Sequence, residues 1–159
     1  MTPAPLTRHQ RLLAKLFGYL WDYLKQHPAG ELFFAPVDVR MGKLANPVQP
    51  DLLFIAQDRL NIVKEEYING APDLVVEALS PGTKRRDRHT KFNLYARAGV
   101  KEYWLIDPDT CTLEIYVLRG QAYAPLGAFE ANDKVRSEVL ENLQIKMQDI
   151  CSDQLKTGS

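Results

Sequence analysis

Cysteine is scarce in this chain. Its 159 residues include two, Cys111 and Cys151, too few and too far apart along the sequence for a disulfide framework or a cysteine-based zinc site. They are expected to be free thiols in a reducing compartment. Long apolar runs are missing as well. No stretch approaches the ~20 residues needed to span a bilayer, and the opening MTPAPLTRHQ has no secretory apolar segment. No membrane association is expected, and the cytoplasm is the default location. Charge of one sign is also lacking, since 20 Lys and Arg balance 20 Asp and Glu. That removes the broad basic footprint with which most nucleic-acid binders neutralise phosphates. The one local concentration is Lys84-Arg85-Arg86-Asp87-Arg88, a pattern shared by solvated loops and phosphate sites. No Gly-rich phosphate loop, Ser-His-Asp arrangement or Cys/His metal spacing occurs. Nucleotide triphosphatase, serine hydrolase and zinc-protein readings therefore have no support.

What is present is an ordinary globular composition on a length that suits one domain, expected to cover residues 1–159. The chain is long enough to bury a core without staples. Thr7 and Gln10 have capping-box spacing. Leu12, Leu13, Leu16, Phe17, Leu20, Trp21 and Leu24 then recur at helical intervals until His27-Pro28 and Gly30. The stripe reads as core packing, because its polar face is not basic enough for a membrane anchor. A strand-like segment over 32–41 ends in the alternation Val37, Val39, Met41. After a loop over 42–47, the segment 48–56 holds the run Leu52-Leu53-Phe54-Ile55, apolar on both faces as in a central strand. Residues 57–71 are ambiguous. A second buried strand is expected over 74–79, then a helix from Asp87 as N-cap to Ala98 with Phe92, Tyr95 and Ala96 inward and Gly99 as its stop. Strands over 102–107 and 112–117 flank a Pro108-Asp109 turn, a further strand lies near 122–126, and a closing segment runs from 135 to 150. A helix between two buried strands is the right length for a parallel crossover. The expected fold is α/β, a mixed central sheet flanked by helices.

Two acids interrupt apolar strand runs, where an unpartnered carboxylate is costly. Asp51 opens one run after Pro50, and Glu77 lies inside Leu-Val-Val-Glu-Ala-Leu. On a strand, Glu77 shares a face with Asp73, Val75 and Leu79. If Asp51 occupies the neighbouring strand in the same orientation, the two carboxylates meet, and two hard oxygen donors suit Mg²⁺ or Mn²⁺. The bland alternatives are that Asp51 caps a turn and that Glu77 pairs with Arg85 or Arg86.

The run Ala71-Pro72-Asp73-Leu74-Val75-Val76-Glu77-Ala78-Leu79-Ser80-Pro81 resembles the signature of the Uma-two family, restriction-endonuclease-like proteins within the PD-(D/E)XK nuclease superfamily. The likeness continues through Asp87, Lys91, Tyr95, Ala98-Gly99-Val100 and Glu102-Tyr103-Trp104-Leu105-Ile106-Asp107-Pro108, and Gln49-Pro50-Asp51-Leu52 resembles the family's Pro-Asp strand. The resemblance implies a restriction-endonuclease-like fold and a metal-dependent nuclease acting on DNA, with Asp51 and Glu77 as metal ligands. It also implies a lysine two residues beyond the glutamate, where this chain has Leu79. Lys91, from the following helix, is the expected substitute, with Lys84 as its rival. His9 is expected at the surface and His89 turned away from the site; whether Asp73 joins it is left open. Cutting both strands of a duplex is simplest with two sites about a two-fold axis, which makes a homodimer the candidate assembly. A nuclease-fold module without chemistry and a phosphohydrolase with a non-DNA substrate are the competing readings.

Overall fold

The computed structural model describes residues 6–43, 46–80 and 86–156. The chain opens with helix α1 (Thr7–Gln26), followed by strands β1 (Gly30–Phe34), β2 (Asp38–Arg40) and β3 (Leu52–Ala56). A 3₁₀ turn (Gln57–Ile62), β4 (Tyr67–Asn69) and β5 (Leu74–Ala78) come next, then helix α2 (Arg86–Ala98). Strands β6 (Glu102–Asp107), β7 (Thr112–Arg119), β8 (Ala122–Phe129), β9 (Lys134–Val135) and β10 (Ile145–Lys146) precede the closing helix α3 (Met147–Lys156).

Six strands form the central sheet in the order β1-β3-β5-β6-β7-β8. The β5-α2-β6 unit supplies its parallel pair, with Val76 opposite Trp104, and the other neighbours are antiparallel. This is the mixed α/β sheet that the segment order implies. Beside it, β2 pairs in parallel with β4, and β9 pairs with β10. Strand alternation sorts the core into two layers. Leu12, Leu16 and Leu20 of α1 pack on Leu52, Phe54, Leu74, Val76, Trp104 and Ile106. On the opposite face, Tyr95 of α2 packs with Leu53, Ile55, Val75, Tyr103 and Leu105. Both faces of β3 and β5 are thus covered, which is why their sequences are apolar without alternation. Each fully buried leucine of α1 contributes about 1.5–3 kcal/mol.

Several local expectations are corrected. The capping box is not made: Leu6 is the N-cap of α1 and no side chain caps it. Trp21, counted in the inner stripe, is 49% exposed. The segment 32–41 is two strands in different sheets, with Pro36 between them. Helix α2 begins at Arg86, one residue before the expected cap, and β8 runs on to Phe129. At the far end of α2 the expectation holds: Gly99 adopts φ +91°. Its N–H reaches Ala96 O at 3.2 Å, and the N–H of Val100 reaches Tyr95 O at 3.0 Å, a Schellman stop that glycine's freedom permits. Cys111 and Cys151, expected to be free thiols, are joined in a disulfide between the β6–β7 turn and α3, with Cα atoms 6.3 Å apart. Separation along the chain hid this, because α3 returns to pack beside α1 on the same sheet face.

Candidate active site

The β3–β5 ladder ends at the pair Leu52–Val76. One step further, Asp51 faces Glu77, and side chains take over from backbone pairing. The N–H of Ala78 donates to Asp51 Oδ2 at 2.8 Å, and the N–H of Asp51 donates to Glu77 Oε1 at 3.2 Å. Each carboxylate is therefore oriented by a backbone group of the opposite strand. Both point to the α2 face, as the alternation Asp51, Leu53, Ile55 and Val75, Glu77 requires. Glu77 is 5% exposed, and Asp51 is half-buried.

Helix α2 returns to this corner because it must connect β5 to the parallel β6. Its Lys91 and Tyr95 stand one turn apart on one face. Lys91 Nζ lies 2.6 Å from Glu77 Oε2, and the Tyr95 hydroxyl donates weakly to the same oxygen at 3.4 Å. Lys91 keeps a side-chain exposure of 39%, so its stem lies along the helix while the ammonium reaches inward.

Burial raises the pKa of both carboxyls. For Asp51, the Ala78 N–H, Lys91 and a charge on His9 oppose that rise only in part. For Glu77, Lys91 opposes it and the neighbouring Asp51 adds to it. Among the described residues, both carboxyls draw on the Lys91 ammonium, and Glu77 is further opposed by the neighbouring Asp51. Among the described residues no cluster of three or more His, Cys, Asp or Glu forms. The available donors are therefore the oxygens of Asp51 and Glu77, a set whose hardness suits a small divalent cation rather than zinc or copper.

The structure brings Asp51, Glu77 and Lys91 together and separates other candidates from them. Asp73 shares the face of Glu77 but lies beyond the other end of β5, roughly 13 Å along the strand. There it accepts the Ala56 N–H at 2.7 Å and pairs with Arg59 at 2.9 Å and Lys101 at 3.1 Å. It ties the β3–3₁₀ junction to the start of β6. Leu79 packs into the α2-side core. His89 is exposed. Lys84 and Arg85 lie outside the described residues. Arg88, of the same basic run, ion-pairs with Glu114, which also accepts the Tyr116 hydroxyl at 2.7 Å.

His9 corrects the surface expectation. It is 5% exposed, its Nε2 has no hydrogen-bond partner among the described residues, and it lies near enough to Asp51 to lower that carboxyl's pKa. A first-turn histidine looks peripheral in sequence, and Thr7, Arg8 and Gln10 around it are exposed, but His9 itself faces inward. Sequence reading also treated Tyr95 only as core and passed over Tyr103. Tyr95 could have been found from its spacing of four from Lys91. Tyr103 is fully buried with an unpartnered hydroxyl among the described residues, and its pKa is pushed up by burial and then by Glu77. No local pattern announces that placement.

Comparison with known proteins bears on the fold and the family. The chain resembles a crystal structure of a "putative nuclease" from Anabaena variabilis, with TM-score 0.77 at 20% identity, covering 96% of this chain and 84% of that one. At that identity the likeness shows a shared fold. No curated protein matches the chain. The profile of the Uma2 family, described as "Putative restriction endonuclease", matches residues 1–148. Nearly the whole chain is covered, including Asp51, Glu77 and Lys91, and the protein belongs to the Uma2 (Uma-two) family of restriction-endonuclease-like proteins.

Proposed function

We propose that the protein is a metal-dependent nuclease that hydrolyses phosphodiester bonds of DNA, with Asp51 and Glu77 holding Mg²⁺ or Mn²⁺ and Lys91 completing the catalytic set. The observation that carries this reading is the meeting of Asp51, Glu77 and Lys91 at one strand end, two carboxylates beside one ammonium among the described residues. A structural ion pair needs one acid per base. A second buried acid beside the first raises the cost of ionising both, and a divalent cation offsets that cost. When bound, such a cation polarises a phosphoryl oxygen and acidifies water.

The residues have separable tasks. The Ala78 N–H fixes Asp51 Oδ2, and the Asp51 N–H fixes Glu77 Oε1, so the two carboxylates are held in place before any ligand arrives. Lys91 is the mobile member. Its ammonium sits on Glu77 Oε2, and a cation there would release it toward the substrate phosphate. A flexible four-carbon stem permits that shift, and the charge then serves the oxygens on which negative charge develops. Leu79 contributes packing only, so the lysine comes from the helix rather than from β5.

Plasmid DNA is the test substrate. Cleavage should require Mg²⁺ or Mn²⁺, stop on chelation, and fail with Ca²⁺, whose larger, looser oxygen shell polarises less. Glu77→Gln should fold and lose cleavage. The second reading, a nuclease-fold module without chemistry, draws on the short Lys91–Glu77 contact, which satisfies Glu77 in the absence of metal. No cleavage with any divalent ion, together with a wild-type melting temperature that Mn²⁺ leaves unmoved, would establish that reading instead.

A further inference from the structure

The Tyr95 hydroxyl is an under-used donor. The residue is fully buried, and a hydroxyl taken out of water needs a good hydrogen bond to offset its desolvation. Among the described residues its one partner is Glu77 Oε2, at 3.4 Å, against about 2.6 Å for a well-made bond from a hydroxyl to a carboxylate. The same oxygen holds Lys91 Nζ at 2.6 Å, and the ammonium has the better of the competition. Packing, rather than that long bond, sets where the phenol stands. Its ring lies 5.3 Å from the ring of Tyr103, itself fully buried. Its carbonyl takes the N–H groups of Gly99 at 3.1 Å and Val100 at 3.0 Å, which anchors this end of α2. Lys91, one turn earlier, has a 39% exposed side chain on a flexible stem. Of the two donors on Oε2, one is free to leave and the other is fixed in place.

We propose that Tyr95 is a positioning residue for Glu77: as Lys91 leaves Oε2 for the substrate phosphate, the Tyr95 hydroxyl closes on that oxygen and keeps the carboxylate aimed at the cation. The inference rests on the metal-dependent reading and adds a residue to it. Without the phenol, the departure of Lys91 would leave Oε2 with no donor among the described residues. Only Oε1 would then be fixed, by the Asp51 N–H at 3.2 Å. A carboxylate held at one oxygen pivots about it, whereas a hydrogen bond to the second orients the ligand and strengthens metal binding. No proton is transferred, and the phenol donates throughout. The long contact at rest is then the open position of a donor that is used when the lysine is elsewhere.

Tyr95→Phe removes the hydroxyl and keeps the ring. Calorimetric titration with Mn²⁺ should show binding weakened about tenfold, at a melting temperature close to that of wild type. Tyr123→Phe controls for the loss of a hydroxyl from the same group of rings. Its hydroxyl donates to the Val100 carbonyl at 2.7 Å, and its ring lies 6.0 Å from that of Tyr103. That variant should lose some thermal stability and bind Mn²⁺ as wild type does. A second arm needs no metal: in crystals of Lys91→Ala grown in EDTA, the Tyr95 hydroxyl should stand about 2.6 Å from Glu77 Oε2. Unchanged Mn²⁺ affinity in a folded Tyr95→Phe chain, or an equal loss in Tyr123→Phe, overturns the assignment and leaves the metal-dependent reading intact. So does a hydroxyl that stays at 3.4 Å or more from Oε2 in Lys91→Ala, and that arm decides alone if Tyr95→Phe does not fold. A wild-type chain that binds no Mn²⁺ overturns the metal site and the positioning role together. Mn²⁺ binding that depends on Tyr95, without cleavage of DNA, refutes the nuclease reading and leaves the positioning role standing.

Discussion

Three acids are buried in strands of the central sheet or at their ends, and their partners separate structure from chemistry. Glu102 is fully buried at the start of β6. It accepts Trp104 Nε1 at 2.7 Å, Ser137 Oγ at 2.5 Å, and the N–H groups of Glu138 at 2.8 Å and Val139 at 3.2 Å. Asp73 has two cations and an N–H. Glu77 has one ammonium and a competing carboxylate. Glu102→Ala should therefore cost about 3 kcal/mol in urea unfolding, because it strands several buried donors, while the folded fraction keeps its activity. Lys91→Ala should fold, bind Mn²⁺ as well as or better than wild type by calorimetry, and cleave at least about a hundredfold more slowly; Lys84→Ala should fold, bind and cleave as wild type does. An equal loss in the two variants would remove Lys91 from its assigned role. Sequence exposed Glu77 because it interrupts an apolar run. It did not expose Glu102, which begins its run and looks like an ordinary strand-end acid, and it could not weigh partners that come from residues 137–139.

Elements were legible where one periodicity governed them. The stripe of α1, the two-faced runs of β3 and β5, and the Gly99 stop follow from burial and backbone sterics, which act locally. The ambiguous segment 57–71 became a 3₁₀ turn and a three-residue strand, held by β2 rather than by local preference. Likewise the Cys111–Cys151 pairing depends on the return of α3 and has no local signal. Strand β1 places Phe34 beside Asp51, and its entry is set by close approach. A Cβ at Gly30 would lie 2.1 Å from the Ile55 carbonyl oxygen and 2.8 Å from the Phe54 ring. Backbone on the opposing strand cannot give way cheaply, so Gly30→Ala should destabilise the protein by about 2–3 kcal/mol in urea. An unchanged midpoint would show that β1 can shift away from β3.

For the whole molecule, the proposed site is a stability cost that a bound cation would offset. The carboxyls of Asp51 and Glu77 titrate above their ordinary range, chiefly through burial, so the folded chain holds their protons more tightly than the unfolded chain. Their contribution is fully present below the ordinary carboxylate range and is lost as pH rises through the raised folded values. In EDTA, Glu77→Gln should therefore gain stability relative to wild type as pH is raised from about 4 to 7. The opposite trend would mean that Lys91 outweighs burial at Glu77. At neutral pH, Mn²⁺ should raise the wild-type melting temperature and leave Glu77→Gln unmoved, because only a ligand bound to the folded state stabilises it. The direct measurement of the central claim is an anomalous difference map from crystals soaked in Mn²⁺. A peak bridging the Asp51 and Glu77 carboxylates, with Lys91 Nζ withdrawn from Glu77 Oε2, is the predicted result. A map without that peak, and with Lys91 still seated on Glu77, would contradict the metal-dependent site.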